Sequence, residues 1–213
     1  MNRIVVATRN RGKLAEIREA LAGLPVELVS LDAIPDAPEV VEDGETFFDN
    51  AAQKALALAR HTGLPALADD SGLMVDALGG APGVYSARFA GPAANDADNI
   101  AKLLAELGGR PGAFRSARFV AVVVLALPGG GLISARGECA GEITAVPSGT
   151  GGFGYDPVFF SPRFGRTFAE ISSAEKLSVS HRGAALRALR GRIEDWLGLG
   201  PAPAPGCGRP EDC

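Results

Sequence analysis

Ala66-Leu67-Ala68-Asp69-Asp70-Ser71-Gly72-Leu73 decides how the rest of the chain is read. An apolar run ends in two adjacent carboxylates, a hydroxyl and a glycine. Neighbouring anions repel, so a folded chain keeps such a pair only where water or a cation relieves it. Hard cations such as Mg²⁺ take oxygen ligands of this kind, usually one or two carboxylates plus substrate phosphates. Asp, Ser and Gly are also ordinary turn formers, so a solvated turn after a strand over 64–68 reads equally well. The octapeptide leaves both readings open.

The sequence before it supplies basic and acidic partners. Residues 3–8 are a β-branched, buried type of strand and residues 13–24 an amphipathic helix with Leu14, Ile17, Leu21 and Leu24 on one stripe. Between them lies Thr8-Arg9-Asn10-Arg11-Gly12-Lys13, a short basic loop at a helix N-terminus, where free N–H groups and the helix dipole favour an anion. It is not a Walker A loop, which needs two glycines bracketing four residues before Lys-Ser/Thr. A solvated basic turn capped by Asn10 is the plain alternative. A second short strand (26–31) leads to a Pro-rich acidic connection carrying Glu39, Glu42, Asp43 and Glu45, then to a helix over 46–61. Lys54 sits at the edge of that helix's apolar arc. It is either a snorkelling lysine or an ammonium aimed into a site beside Glu42.

After the octapeptide, residues 73–78 suit a further strand, and Tyr85-Ser86-Ala87-Arg88-Phe89 follows a turn-rich loop. A helix over 96–108 takes its cap from Asn95 or Asp96. Residues 117–127 and 132–143, joined through Pro128-Gly129-Gly130-Gly131, form the clearest hairpin. Gly149-Thr150-Gly151-Gly152-Phe153-Gly154-Tyr155-Asp156 places four glycines beside two aromatics and a carboxylate. That composition suits either a ligand approached by main chain and stacked on a ring, or a loop closing the core. Ser172-Ser173-Ala174-Glu175 is a capping box opening a short helix with Lys176, and Ser180-His181-Arg182-Gly183 opens the last helix. Lys176, His181 and Arg182 thus gather near two helix starts, as an anion or carbonyl site would require.

The whole chain bounds these readings. At 213 residues, one domain over 1–197 is expected, followed by a disordered Pro/Gly-rich tail over 198–213. Apolar content of 46% allows a sizeable core, and a net charge of −4 argues against binding a nucleic acid polymer, whose phosphates select for Lys/Arg excess. The longest apolar run, residues 119–127, is strand-sized, so no membrane partner is expected. Met1 to Thr8 is too short for a secretion signal. Cys139, Cys207 and Cys213 are odd in number and not in metal spacing, which reads as a cytoplasmic protein without a disulfide framework.

Taken together, six ordered motifs resemble the inosine/xanthosine triphosphate pyrophosphatase family. They are Thr8-x-Asn10-x-x-Lys13; Glu45-Thr46-Phe47 with Asn50-Ala51 and Lys54; Ala68 to Leu73; Gly79-Gly80-Ala81-Pro82-Gly83-Val84-Tyr85-Ser86-Ala87-Arg88; Gly149 to Pro157; and Glu175-Lys176 with Ser180 to Gly183. The resemblance spans residues 3 to about 197 and departs at no motif position. It implies an α/β fold (mixed α+β), an elongated mixed central sheet with flanking helices, in two lobes around a nucleotide-binding cleft. It also implies a homodimer and Mg²⁺-dependent hydrolysis of ITP, dITP or XTP to the monophosphate and pyrophosphate.

By the same resemblance, Asp70 matches the proton acceptor and a metal position, Glu42 the second metal position, and Asp69 a supporting one. Lys13 and Lys54, with Thr8, Arg9, Asn10, Arg11 and Gly12, match the triphosphate grip. Ser71, Phe153, Gly154, Tyr155, Asp156, Lys176, His181 and Arg182 match nucleotide- and base-binding positions. The chemistry is consistent with this: lysines and a divalent cation offset the charge that repels an attacking hydroxide. Donors at Lys176, His181 and Arg182 suit a 6-oxo group and oppose the 6-amino group of adenine. A general nucleotide phosphatase using the same acidic site, and a nucleotide-binding module without turnover, are the competing readings.

Overall fold

The computed structural model describes residues 2–109 and 114–199; the expected tail, from residue 200 on, and Cys207 and Cys213 lie outside the described residues. One seven-stranded mixed sheet runs through them in the order β2-β1-β3-β4-β5-β6-β7. The strands are β1 (Asn2–Val6), β2 (Val26–Ser30), β3 (Ala66–Val75), β4 (Ser116–Ala126), β5 (Leu132–Ile143), β6 (Phe159–Ser161) and β7 (Arg166–Thr167). β1 runs parallel to β2 and β3, and every later pairing is antiparallel. The helices are α1 (Arg11–Ala20), α2 (Phe47–Thr62), α3 (Asp96–Gly108), α4 (Ser173–Val179) and α5 (His181–Trp196).

Local sequence accounts for most boundaries. Thr46 caps α2 in a reciprocal box with Asp49, and Asn95 caps α3 in the same way with Asp98. Asn10 caps α1 by accepting from the Lys13 N–H, and Ser180 caps α5 by accepting from the Gly183 N–H. The Leu14, Ile17, Leu21 and Leu24 stripe packs with Leu186, Leu189 and Ile193 of α5 on one face of the sheet. α2 lays Ala51, Ala55, Leu58 and Ala59 on the other. A third cluster, with Leu103 of α3 and an aromatic group of Phe119, Phe159 and Phe168, packs the far halves of β3 and β4. Two lobes therefore share the long central strands.

One expectation is corrected. The octapeptide is not a turn between strands over 64–68 and 73–78; β3 is a single ten-residue strand with Asp69 and Asp70 in its middle. β4 pairs with it along its whole length, Asp69 opposite Val123 and Asp70 opposite Val122. Two charged residues are tolerated there because each carboxylate finds partners from the helices on its own face of the sheet.

α5 lies close enough to β5 that a side chain at Gly137 would overlap the His181 carbonyl oxygen and the Ala185 nitrogen. The start of α5, which carries His181 and Arg182, is seated on that bare backbone. Gly137→Ala is expected to cost about 1–3 kcal/mol as overpacking, read as a lowered urea midpoint with unchanged slope.

Candidate active site

β1 pairs with β3 only at Val5↔Ala66 and Val6↔Leu67. The chain then leaves the sheet at Ala7, while β3 continues for eight more residues with β4 on its other side. Residues 81–86 cover the freed edge of β3 from Leu73 to Val75, and a cleft of about 820 Å³ opens along what remains, at Asp69 to Gly72, with the β1–α1 loop at its rim. This is the carboxyl end of parallel strands, where α/β sheets commonly bind ligands. Thr8 Oγ1 accepts from the Asn10 N–H at 3.1 Å and Asn10 Oδ1 from the Lys13 N–H at 3.0 Å, which fixes the loop at the start of α1.

Alternation along β3 sends Asp69 and Asp70 to opposite faces. Asp70 faces α2. Its Oδ2 accepts from Asn50 Nδ2 at 3.0 Å, and Lys54 Nζ stands 3.7 Å from its Oδ1. The same ammonium lies 3.2 Å from Glu42 Oε1 and donates to the Asp69 carbonyl at 3.0 Å. Asn50 also accepts from the Gly44 N–H, and Arg88 donates to the Glu42 carbonyl, so the acidic loop is tied at two points. Burial raises the Asp70 pKa above 3.8, against the pull of Lys54, Lys13 and the Asn50 hydrogen bond.

Asp69 faces α1 and α5. Lys13 Nζ is 2.6 Å from its Oδ1, and Arg182 Nε and Nη2 donate to Oδ2 and Oδ1 at 3.1 and 3.4 Å. Arg182 is 1% exposed; Nη1 donates to Glu16 and Nη2 also to Ser71 Oγ. Burial acts to raise the Asp69 pKa, but Arg182 and Lys13 outweigh it and hold the carboxyl well below the usual range. Burial acts likewise to lower that of Arg182, and Asp69 and Glu16 carry it above its ordinary value. Glu16 reaches a second cation, Lys176, at 3.2 Å, and Lys176 donates to Asp156 Oδ2 at 2.6 Å. Asp156 is raised by burial, with Lys176 opposing.

The glycine-rich loop closes this side. Phe153 gives its N–H to Asp156, and its ring lies 4.3 Å from Lys176 Nζ and 5.5 Å from the Arg182 guanidinium carbon. Gly12 permits that position: a Cβ there would stand 2.6 and 2.7 Å from two ring carbons. The Gly154 N–H donates to Asp96 at 2.6 Å. His181 stacks on Phe119 with centroids 4.6 Å apart, and its Nδ1 is buried without a hydrogen-bond partner among the described residues. Burial, and then Arg182, lower its pKa well below 6.5, so the imidazole is neutral at pH 7.

The cleft gathers Thr8, Arg9, Asn10, Lys13, Glu42, Lys54, Asp69, Asp70, Ser71, Phe153, Gly154, Tyr155, Asp156, Lys176, His181 and Arg182. It does not gather Arg11, which is exposed on the first turn of α1, while Gly12 serves as a seat for Phe153. Tyr155 is a buried strut whose hydroxyl donates to the Ser86 carbonyl at 2.9 Å. Asp69 was expected beside Glu42 and Asp70 as a supporting cation ligand. Its carboxylate instead points to the other face and is taken up by Lys13 and Arg182, because adjacent strand residues cannot share a face. Arg182 was expected as an open donor; all three of its nitrogens have internal acceptors.

Glu16 and Asn50 were given no role from the sequence. The available signals were a carboxylate three residues after Lys13 and next to the core residue Ile17, and an amide one turn before Lys54. Among the described residues no group of three or more His, Cys, Asp or Glu side chains could hold a metal. Glu42 and Asp70 both stand within 4 Å of Lys54 Nζ, and two carboxylates completed by phosphate oxygens and water are what a hard divalent cation accepts.

An elongated mixed sheet with a carboxylate–lysine cluster and an aromatic–cation pocket meeting at one cleft defines a nucleotide-hydrolase type of architecture. Residues 4–192 match the Ham1 family, and the chain belongs to it. It is 54% identical over 199 residues to a dITP/XTP pyrophosphatase of Geobacter sulfurreducens, covering 93% of this chain and all of that one. It is 52% identical to a dITP/XTP pyrophosphatase of Shouchella clausii, covering 91% and 98%. Among solved structures, a HAM1 protein from Coxiella burnetii superposes with TM-score 0.85 at 43% identity, over 92% of this chain and all of that one. A nucleoside-triphosphatase / dITP/XTP pyrophosphatase from Mycobacterium abscessus gives 0.71 at 49%, over 88% and 98%.

The two aspartates respond oppositely to pH. Asp69 lies below 3.8 in the folded state, so its stabilisation is complete above about pH 4 and is lost as the pH falls through the folded value. Asp70 lies above 3.8, so its contribution is present on the acid side and is lost as the pH rises through its folded value. Asp69→Asn is therefore expected to lose about 3–5 kcal/mol at pH 7, as for a broken buried pair, with the gap to wild type closing below pH 4. Asp70→Asn is expected to be at least as stable as wild type at pH 7. Urea unfolding of the three proteins across pH 3–8 checks both.

Proposed function

We propose that this chain hydrolyses deaminated purine nucleoside triphosphates, dITP, ITP and XTP, to the monophosphate and pyrophosphate, with residues 1–197 as the catalytic domain. The observation that carries the reading is the division of the cleft by the free edge of β3. Basic and carboxylate groups that suit a triphosphate and a cation lie by α1 and α2; a pocket of Phe153, Lys176 and His181 that suits a heterocycle lies by α5. The relatives named dITP/XTP pyrophosphatase support the choice of substrate.

In this reading the Thr8–Lys13 loop presents backbone N–H groups and Lys13 to the phosphates at the N-terminus of α1. Glu42 and Asp70 would hold Mg²⁺, which supplies charge neutralisation of the triphosphate when bound. Asp70, fixed through Oδ2 by Asn50 and with its pKa raised by burial, orients the attacking water and accepts its proton. Lys54 and Lys13 stabilise the charge that develops on the departing pyrophosphate. Asp69 acts indirectly, keeping Lys13 and Arg182 in place.

Phe153 stacks on the base. Lys176 has three N–H donors and two acceptors among the described residues, Asp156 and Glu16, which leaves one donor for a 6-oxo group. Adenine offers a donor there, and the mismatch costs about 1–3 kcal/mol per unpaired group. Cytoplasmic placement and a homodimer belong to the same proposal; Val41, Phe48 and Tyr85 are large exposed apolar side chains on segments bordering the cleft, available for such an interface.

Pyrophosphate release with Mg²⁺ from ITP, XTP, GTP and ATP tests this reading. ITP and XTP are expected to be preferred, with Asp70→Asn lowering kcat by about 10²–10⁴-fold. Phe153→Ala is expected to raise KM by roughly tenfold, from lost stacking. Orthophosphate as the product, or full activity in Asp70→Asn, would refute the assignment.

A further inference from the structure

Between Glu42 and Asp70 stands a positive charge belonging to the chain. Lys54 Nζ is 3.0 Å from the Asp69 carbonyl, 3.2 Å from Glu42 Oε1 and 3.7 Å from Asp70 Oδ1, on a side chain only 13% exposed. The surroundings hold this arrangement from both sides: Asn50 links Asp70 to Gly44, and Arg88 fixes the Glu42 carbonyl. A divalent cation held by these two carboxylates would compete with the ammonium for the same negative charge, and two cations repel at close range. Lysine is a compact point charge on a flexible four-carbon stem, so it can withdraw once a better anion is offered. The anion that arrives in this cleft is a triphosphate.

We infer that Lys54 is an internal counter-ion standing in the cation site, so that the divalent cation enters with the nucleotide and not before it. The inference rests on the reading of Glu42 and Asp70 as the cation pair. It makes the nucleotide a condition of tight cation binding: the phosphates draw Lys54 off the carboxylates and add their own oxygens. By linkage each then raises the other's affinity by the same factor. Lys54 thus has two positions of use, on the carboxylates in the free protein and on the phosphates in the complex.

The test is Mn²⁺ binding to the full chain, followed by the paramagnetic resonance of free Mn²⁺, with and without α,β-methylene-ITP. Wild type is expected to bind Mn²⁺ weakly alone and at least tenfold more tightly with the analogue. Lys54→Met is expected to bind Mn²⁺ alone at least tenfold more tightly than wild type, and Lys54→Gln to do the same should the first variant fold poorly. Lys13→Met removes an equal charge from the Asp69 side; because Lys13 acts on Asp70 only from a distance, its gain in Mn²⁺ affinity without nucleotide is expected to be at least threefold smaller than that of the Lys54 variants. Lys54 variants that bind Mn²⁺ no more tightly than wild type overturn the inference, as does an equal gain in Lys13→Met. Glu42→Gln separates the two levels: if it leaves Mn²⁺ binding with the analogue intact, the carboxylate assignment itself is wrong. If it abolishes binding while the Lys54 variants show no gain, only the counter-ion role falls.

Discussion

β3 loses one neighbour while keeping the other, and the site depends on that asymmetry. β4 stays hydrogen-bonded to it over ten positions, whereas β1 pairs at two and turns away. An interior strand buries both its faces under helices and offers a ligand nothing. A strand exposed along one edge, but braced along the other, brings both faces within reach of one cleft. Side chains that would lie on opposite sides of a closed sheet then address the same molecule. The β1–α1 loop, released at the same point, supplies the helix N-terminus at the rim.

The two faces meet this opportunity with different charge balances. On the α5 side Lys13, Arg182 and Lys176 face Glu16, Asp69 and Asp156, three cations against three anions, almost wholly buried. Such a network contributes little net stability, since desolvation consumes most of its Coulombic gain, but removing any member strands its partner. What it provides is a rigid, formally neutral wall under Phe153, suited to an uncharged ring with polar edges. On the α2 side Glu42 and Asp70 share only Lys54, which leaves one negative charge in excess when both are ionised. That side favours an added cation, and hence a cation carrying phosphates.

Local order was legible because it is written locally. Caps at Asn10, Asn95 and Ser172, the hairpin of β4 and β5, and the stripe of α1 each follow from residues within a turn or two of one another. The motifs also marked most of the charged side chains that line the cleft, though not Glu39, Glu42 or Asp96. What escaped was the partnering. A dipeptide of aspartates reads equally well as a turn or a cation site, because the groups that neutralise Asp69 come from α1 and from Arg182, 113 residues away. Glu16 escaped for the converse reason: a carboxylate on an amphipathic helix is assigned to solvent by its type, and only the approach of α4 and α5 makes its position interior. Arg182 was recognised as important, but nothing in its neighbourhood reveals that four of its five N–H donors meet Asp69, Glu16 and Ser71.

The division of labour between Asp69 and Asp70 follows from their adjacency. In a strand paired one-to-one, as β3 is with β4, neighbours occupy opposite faces, so one carboxylate goes to the ionic wall and the other to the cation side. A slip of one residue in register would exchange them and place the strongly ionised group where a proton acceptor is needed. The register is locked against that slip by ten pairings with β4. It is locked again by Ser86, whose hydroxyl accepts from the Leu73 N–H at 2.9 Å, and by Gly72, where any side chain would run into the Gly83 carbonyl. Ser71 and Gly72 therefore belong to the same device as the aspartates. Ser71 tells Arg182 which face it is on, and Gly72 lets the segment that follows close over the strand. The bare glycine after the acidic pair keeps two chemically identical side chains in two different electrostatic environments, one lowering and one raising the pKa of the same functional group.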